Sequence, residues 1–335
     1  MTDPSLADAL PEVLTEAFGD RLLHAALTGS HAMGFDNRHS DVDVVAICRA
    51  TRETPAEGYR ALRCGDRTVE TWVLTPDALD QIETQARREV PTVGAIRRAG
   101  KIAHGVPVVH TTASAALMWD ADRIAALRLP AHRGFKTVAL NEYWDLAGAR
   151  QASDISYGVE AANRLVGSEL NALLVLLGDL TAKRKRFAAR LLRAAPEAAV
   201  LARCYDRHIT LTEGSPPPRA ETRLARVIGL LAHVQCLSAA LALGRELSAT
   251  AWARPDGLPV AGPICLFASE RACFALSEGG SLSVASSTLG AFLDSVLSPA
   301  TGPAAPPTPD VRALATHLGL PLPSLGPAPL PEITQ

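Results

Sequence analysis

Near residue 111 the hydrophobic residues of this chain change their period. Before that point they come in short runs rich in β-branched side chains: LLHAALT at 22–28, DVDVVAI at 41–47 and RTVETWVL at 67–74, each of a length and composition that predicts a strand. After it they recur every three or four residues. Ile155, Val159, Ala162, Val166, Leu170, Leu173 and Leu177 form one unbroken apolar stripe, and Leu224, Val227, Leu231, Val234 and Leu241 form another. The change predicts an α/β domain over 1–110 followed by a mostly α-helical domain over 111–298. The segment ATGPAAPPTP at 300–309 opens a proline-rich tail, 299–335, expected to lack a fixed structure. Leu6, Leu10, Val13, Leu14 and Phe18 predict a leading helix, with Pro11 confining it to its second half. Thr75-Pro76-Asp77 reads as an N-cap with proline at N1, opening a helix through about Arg88.

A chain of 335 residues, 47% hydrophobic and 20% charged, is long and apolar enough to bury two cores. Its 33 Lys plus Arg against 35 Asp plus Glu leave a net charge of −2, which argues against a nucleic-acid partner held by many phosphate contacts and for a small molecule or a protein. Cys48, Cys64, Cys204, Cys236, Cys265 and Cys273 are scattered without a C-x-x-C pair and read as small buried apolar residues. The N-terminus lacks a basic segment and a continuous apolar one, and no run is read as reaching the roughly 18 apolar residues of a span. The expected location is cytoplasmic, with no membrane partner.

The stretch that carries chemistry is Thr28-Gly29-Ser30-His31-Ala32-Met33-Gly34, followed by Ser40-Asp41-Val42-Asp43-Val44. Successive strand side chains point to opposite faces, so Asp41 and Asp43 share one face while Val42 and Val44 turn into the core. Two carboxylates that close repel each other unless a cation neutralises them, and hard oxygen ligands suit Mg²⁺ or Mn²⁺ attached to substrate phosphates. Gly29 ends the preceding strand with a tight turn that lets backbone approach an anion, and the Ser30 hydroxyl can donate to a phosphate oxygen.

GSHAMG with SDVDVV resembles the signature of the DNA polymerase β-like nucleotidyltransferase superfamily, and more narrowly its minimal and antibiotic-type members. The resemblance covers about residues 20–75. It implies a small mixed sheet flanked by helices, Asp41 and Asp43 as metal-binding catalytic acids, and Gly29, Ser30 and Ser40 at the nucleotide. Met33 departs from the pattern, which commonly has arginine there. A third acid belongs on a neighbouring strand, where Glu70 is the only candidate. It reads as a metal ligand or as the general base for an acceptor hydroxyl, against the alternative of an edge-strand glutamate facing water; Asp66 is the fallback.

Half of the chain's four lysines lie in Lys183-Arg184-Lys185-Arg186. Similar helical domains carry a lysine aimed at the triphosphate, which makes Lys183 and Lys185 candidate phosphate contacts, although such a run is also what a solvated helix face looks like. Glu142, Asp145, Asp154, Glu160 and Glu169 give the helical half an acidic stretch, suited either to a cationic acceptor or to solvent.

Together these features predict a Mg²⁺-dependent enzyme that moves a nucleoside monophosphate from a triphosphate, ATP foremost, to a hydroxyl of a small molecule such as an antibiotic or other natural product. Two alternatives stand beside it. One is a protein nucleotidylyltransferase of toxin–antitoxin type, and the other is a nucleotide-binding regulatory module without turnover.

Overall fold

The computed structural model describes residues 4–36, 40–51, 56–112, 114–183, 186–210, 220–253, 258–268, 273–297, 307–320 and 322. The chain divides into two compact units, residues 1–134 with 178–183, and residues 135–177 with 184–335. The boundary therefore lies beyond residue 110, and a short later segment returns to the first unit. Ser114 shows why the segment after 110 stays there: its hydroxyl donates to the Leu23 carbonyl at 3.1 Å, tying the chain back to the sheet.

The first unit runs α1 (Pro4–Phe18), β1 (Leu22–Thr28), α2 (Gly29–Ala32), β2 (Val42–Cys48), β3 (Glu57–Cys64), β4 (Arg67–Leu74), α3 (Pro76–Ala86), α4 (Val93–Ala103), β5 (Val106–His110), α5 (Ser114–Leu117) and α6 (Ala121–Ala125). Its five strands lie in the order β3-β4-β2-β1-β5. The sheet is mixed, with β2 and β4 parallel and the other neighbours antiparallel. One face packs on α1: Leu10, Leu14 and Phe18 meet Ala25, Leu27, Val42, Val44 and Ala46. That burial outweighs the hydrogen bond lost at Pro11, so α1 runs straight through the proline instead of starting after it. The cap at Thr75 forms as expected, with its hydroxyl accepting from the Ala78 N–H at 3.3 Å.

Strand β3 escaped the sequence because it is an edge strand with most of its residues exposed, so no apolar alternation marks it. It joins β4 through Gly65-Asp66, a two-residue turn in which Gly65 takes φ +61°.

The second unit begins within α7 (Arg128–Gln151) and continues with α8 (Ile155–Leu176), α9 (Phe187–Ala194), α10 (Ala199–Thr210), α11 (Ala220–Ala242) and α12 (Ala249–Trp252). A three-stranded antiparallel sheet follows, β6 (Cys265–Ala268), β7 (Cys273–Ser277) and β8 (Gly280–Val284), then α13 (Ser286–Leu297) and α14 (Pro309–His317). The small sheet adds strands to a mostly α-helical second half, and α14 corrects, at 309–317, the expectation that 299–335 lacks a fixed structure, while 298–306, 321 and 323–335 lie outside the described residues. Thr308 caps α14, Pro309 opens it, and Val311, Leu314 and Ala315 are buried. Leu224–Ala242, although interrupted by Arg226, His233 and Gln235, is by length and composition apolar enough to cross a membrane. Within the protein 83% of that stretch is buried, and the helix packs along α8.

Two of the buried charges in this unit are paired with each other. Lys136 on α7 and Glu169 on α8 are almost wholly enclosed, with Nζ 2.5 Å from Oε1. Burial pulls the Lys136 ammonium down, but the attraction of Glu169 outweighs it and holds the lysine charged. Arg164 takes Asp145 and Glu160, and Asp154 caps α8. Most of the acidic stretch is thus neutralised or used locally. The six cysteines are buried thiols, and burial pushes that of Cys265 up to about 11.

Candidate active site

The site is built on the first unit. At one level of the sheet, Thr28 on β1 pairs with Asp43 on β2, and Asp43 pairs with Glu70 on β4. Registered partners share a face, so Asp43 and Glu70 emerge on the same side, opposite the α1 core that takes Val42 and Val44. Asp41 is exposed and directly precedes β2. Glu70 is also exposed, which removes any burial cost from its carboxylate, and β4 lies between β3 and β2 and is not an edge. Asp66 lies in the β3–β4 turn four residues before Glu70, roughly 13 Å away along the strand.

Gly29 closes β1 with φ +68°, and a Cβ there would lie 2.3 Å from Asp43 Oδ2. The absence of a side chain at Gly29 is what lets the Asp43 carboxylate lie directly against the turn. Ser30 follows half-buried, and its carbonyl accepts from the Phe35 N–H at 2.9 Å. His31 is fully enclosed, with Nδ1 3.4 Å from Asp36 Oδ2 and Nε2 3.4 Å from the Ser40 carbonyl. It ties the Gly29 turn to the residue that leads into Asp41.

Helix α4 supplies residues that sequence reasoning missed. Lys101 Nζ lies 3.5 Å from Asp43 Oδ1. Arg97, one turn earlier, donates from Nε to the Ala182 carbonyl at 3.1 Å. Residues 178–183 lie flat on this helix because Gly100 has no side chain; a Cβ there would be 2.0 Å from the Leu180 carbonyl oxygen. The same segment bonds His104, whose Nε2 accepts from the Leu180 N–H at 2.9 Å, and Met33, whose sulfur receives the Thr181 hydroxyl at 3.2 Å. Beside Gly29 this leaves a cavity of about 90 Å³, with Arg97, Lys101, His104, Thr181 and Lys183 among its lining residues. Its charged lining residues are all basic. Lys183, singled out from the sequence, is exposed at this cavity, whereas Lys185 lies outside the described residues. The missed signal was the spacing of Arg97, Lys101 and His104 by four and three, which puts three basic side chains on one helix face.

Among the described residues no three His, Cys, Asp or Glu side chains gather into one metal-ligand group. The donors present still suit a hard divalent cation: Asp43 lies in the space a Cβ at Gly29 would fill, Glu70 stands in register beside it, and both offer oxygen ligands that phosphate oxygens can complete. In the structure the positive charge at Asp43 is the Lys101 ammonium.

No family model and no curated protein matches this chain. Among solved structures it is similar to a nucleotidyltransferase-like protein from Exiguobacterium sibiricum 255-15, at 12% identity over 70% of this chain and 77% of that one, with a TM-score of 0.39. At that score and identity the likeness carries no information about this protein's activity.

Proposed function

We propose that this protein is a nucleotidyltransferase of polymerase β-like type, moving a nucleoside monophosphate from a triphosphate to a hydroxyl. The observation that carries this is the junction at Gly29, where the Asp43 carboxylate abuts a turn whose other side opens into a basic cavity. Carboxylates for a cation beside basic groups for phosphate are the two halves of a phosphoryl-transfer site.

Asp41, Asp43 and Glu70 would hold Mg²⁺ or Mn²⁺, which when bound supplies positive charge to the α-phosphate and to the departing oxygen. Gly29, Ser30 and Ser40 would hold the triphosphate at the turn, and Arg97, Lys101 and Lys183 its outer phosphates. Glu70, exposed on the acid face, would take the proton of the acceptor hydroxyl. The acceptor oxygen forms its bond to the α-phosphorus, the bond to the β-phosphate oxygen breaks, and pyrophosphate leaves. ATP is the proposed donor, a small hydroxylated molecule such as an antibiotic the proposed acceptor, and the cytoplasm the proposed location.

The test is pyrophosphate release with Mg²⁺ and each triphosphate, in the presence of a panel of hydroxylated acceptors, for wild type, Asp41→Asn and Asp43→Asn. Release that both substitutions abolish without lowering the melting temperature is the expected result. Mass spectrometry after incubation with host lysate assigns the nucleoside monophosphate to a metabolite or to a protein, the latter being the toxin–antitoxin alternative. Triphosphate binding without release under every condition would point to the regulatory module.

A further inference from the structure

Lys101 faces two partners. Its Nζ lies 3.5 Å from Asp43 Oδ1, and its side chain also lines the cavity beside Gly29. A third of that side chain is exposed, and ion pairs with such access to water are weak, so the ammonium can leave Asp43 at little cost. Arg97 differs. Its Nε is engaged by the Ala182 carbonyl, which makes it a fixed part of the cavity wall. One basic group on this face of α4 is therefore held in place, while the next one, a turn later, rests on a carboxylate that nucleotide transfer needs for its cation.

We propose that Lys101 is an exchangeable counter-ion of the nucleotide site, pairing with Asp43 in the empty protein and transferring to a phosphate oxygen when a triphosphate binds with its divalent cation. This rests on the nucleotidyltransferase reading above. Charge balances in both states without moving a proton. In the empty site the ammonium offsets Asp43; in the loaded site Asp43 faces the divalent cation and the ammonium faces phosphate. A divalent cation arriving alone must displace Lys101 with nothing to receive it. A triphosphate gives the ammonium a doubly favourable destination, because charge-assisted bonds to phosphate are strong. Cation and triphosphate are thereby coupled, each raising the affinity of the other.

The experiment compares wild type, Lys101→Met and Lys101→Arg in two binding measurements. The first is Mn²⁺ binding without nucleotide, followed by electron paramagnetic resonance. The second is ATP binding in EDTA, followed by calorimetry. Lys101→Met is expected to bind Mn²⁺ about three- to fivefold more tightly, since a weak competing cation has been removed. It is expected to bind ATP about tenfold more weakly, since a charged bond to phosphate is lost. Lys101→Arg should restore ATP binding. The opposite signs exclude a packing role, which would weaken both or neither. Unchanged Mn²⁺ affinity in Lys101→Met, or ATP binding that this substitution leaves untouched, overturns the exchange. Wild-type protein that binds no nucleoside triphosphate even in the presence of Mg²⁺ overturns the nucleotidyltransferase reading and the exchange with it.

Discussion

A Cβ on residue 29 would lie 2.3 Å from Asp43 Oδ2, so the glycine and the carboxylate occupy one shared space. Gly29→Ala therefore fails twice. It forces an L-residue into the left-handed region at about 1–2 kcal/mol, and it pushes the Asp43 carboxylate off the turn. The expected result is a melting temperature lowered by roughly 2–8 °C, together with loss of pyrophosphate release, measured by calorimetry and a coupled phosphate assay. An alanine variant with wild-type turnover would show that Asp43 need not rest on Gly29.

Glu70→Gln is expected to lower turnover by about 10²- to 10⁴-fold while leaving the Michaelis constant for the triphosphate nearly unchanged, as removal of a general base does. A shifted Mg²⁺ dependence would assign it to the cation as well. Because Glu70 is exposed, the substitution leaves the fold unstrained, so an unchanged rate across Mg²⁺ concentrations would return it to solvent.

The enclosed Lys136–Glu169 pair makes a prediction about stability alone. Lys136→Met or Glu169→Gln strands a charge or a polar group in the helical core and should cost about 3–5 kcal/mol in urea unfolding. Lys136→Met combined with Glu169→Leu should recover most of that loss, because the desolvation penalty leaves with the charges. A double variant no more stable than the singles would mean that the pair contributes more than it costs.

His24 gives the first unit a pH dependence. It is buried on β1, with Nδ1 3.3 Å from Ser114 Oγ and its ring 6.1 Å from that of His110. Burial, and then His110, lower its pKa below the usual 6.5. As pH falls through 6.5 the unfolded chain takes up this proton first, so the folded state loses stability from that pH downward until His24 itself titrates. His24→Gln should flatten the difference between unfolding at pH 7.5 and at pH 5.5, and an unaltered difference would assign it to another group.

The acid strand was legible because period two is unambiguous: the order Asp41, Val42, Asp43, Val44 by itself decides which side chains face the core and which face the opposite side. The sheet around it was only partly legible, since β3 buries little beyond Cys64 and so leaves almost no pattern, and β5 has only five residues. Lys101 and Arg97 were missed for a different reason. They look like the polar side of an ordinary amphipathic helix, and only the fold brings that side to Asp43. The small sheet β6-β7-β8 was hidden by its neighbours, because three strands of four or five residues do not interrupt a helical reading of 111–298.

The return of residues 178–183 to the first unit has a consequence for how the protein is made. Their backbone covers Gly100 on α4 and brings Thr181 and Lys183 to the cavity wall, and on a ribosome they emerge only after the whole of α8. The strands and acids of the site can assemble while α7 and α8 are still being synthesised, but its basic wall cannot. Residues 135–177 are, in effect, an insertion within the first unit, and a fragment ended at 134 would carry the carboxylates without Thr181 and Lys183, which complete the lining of the cavity beside Gly29.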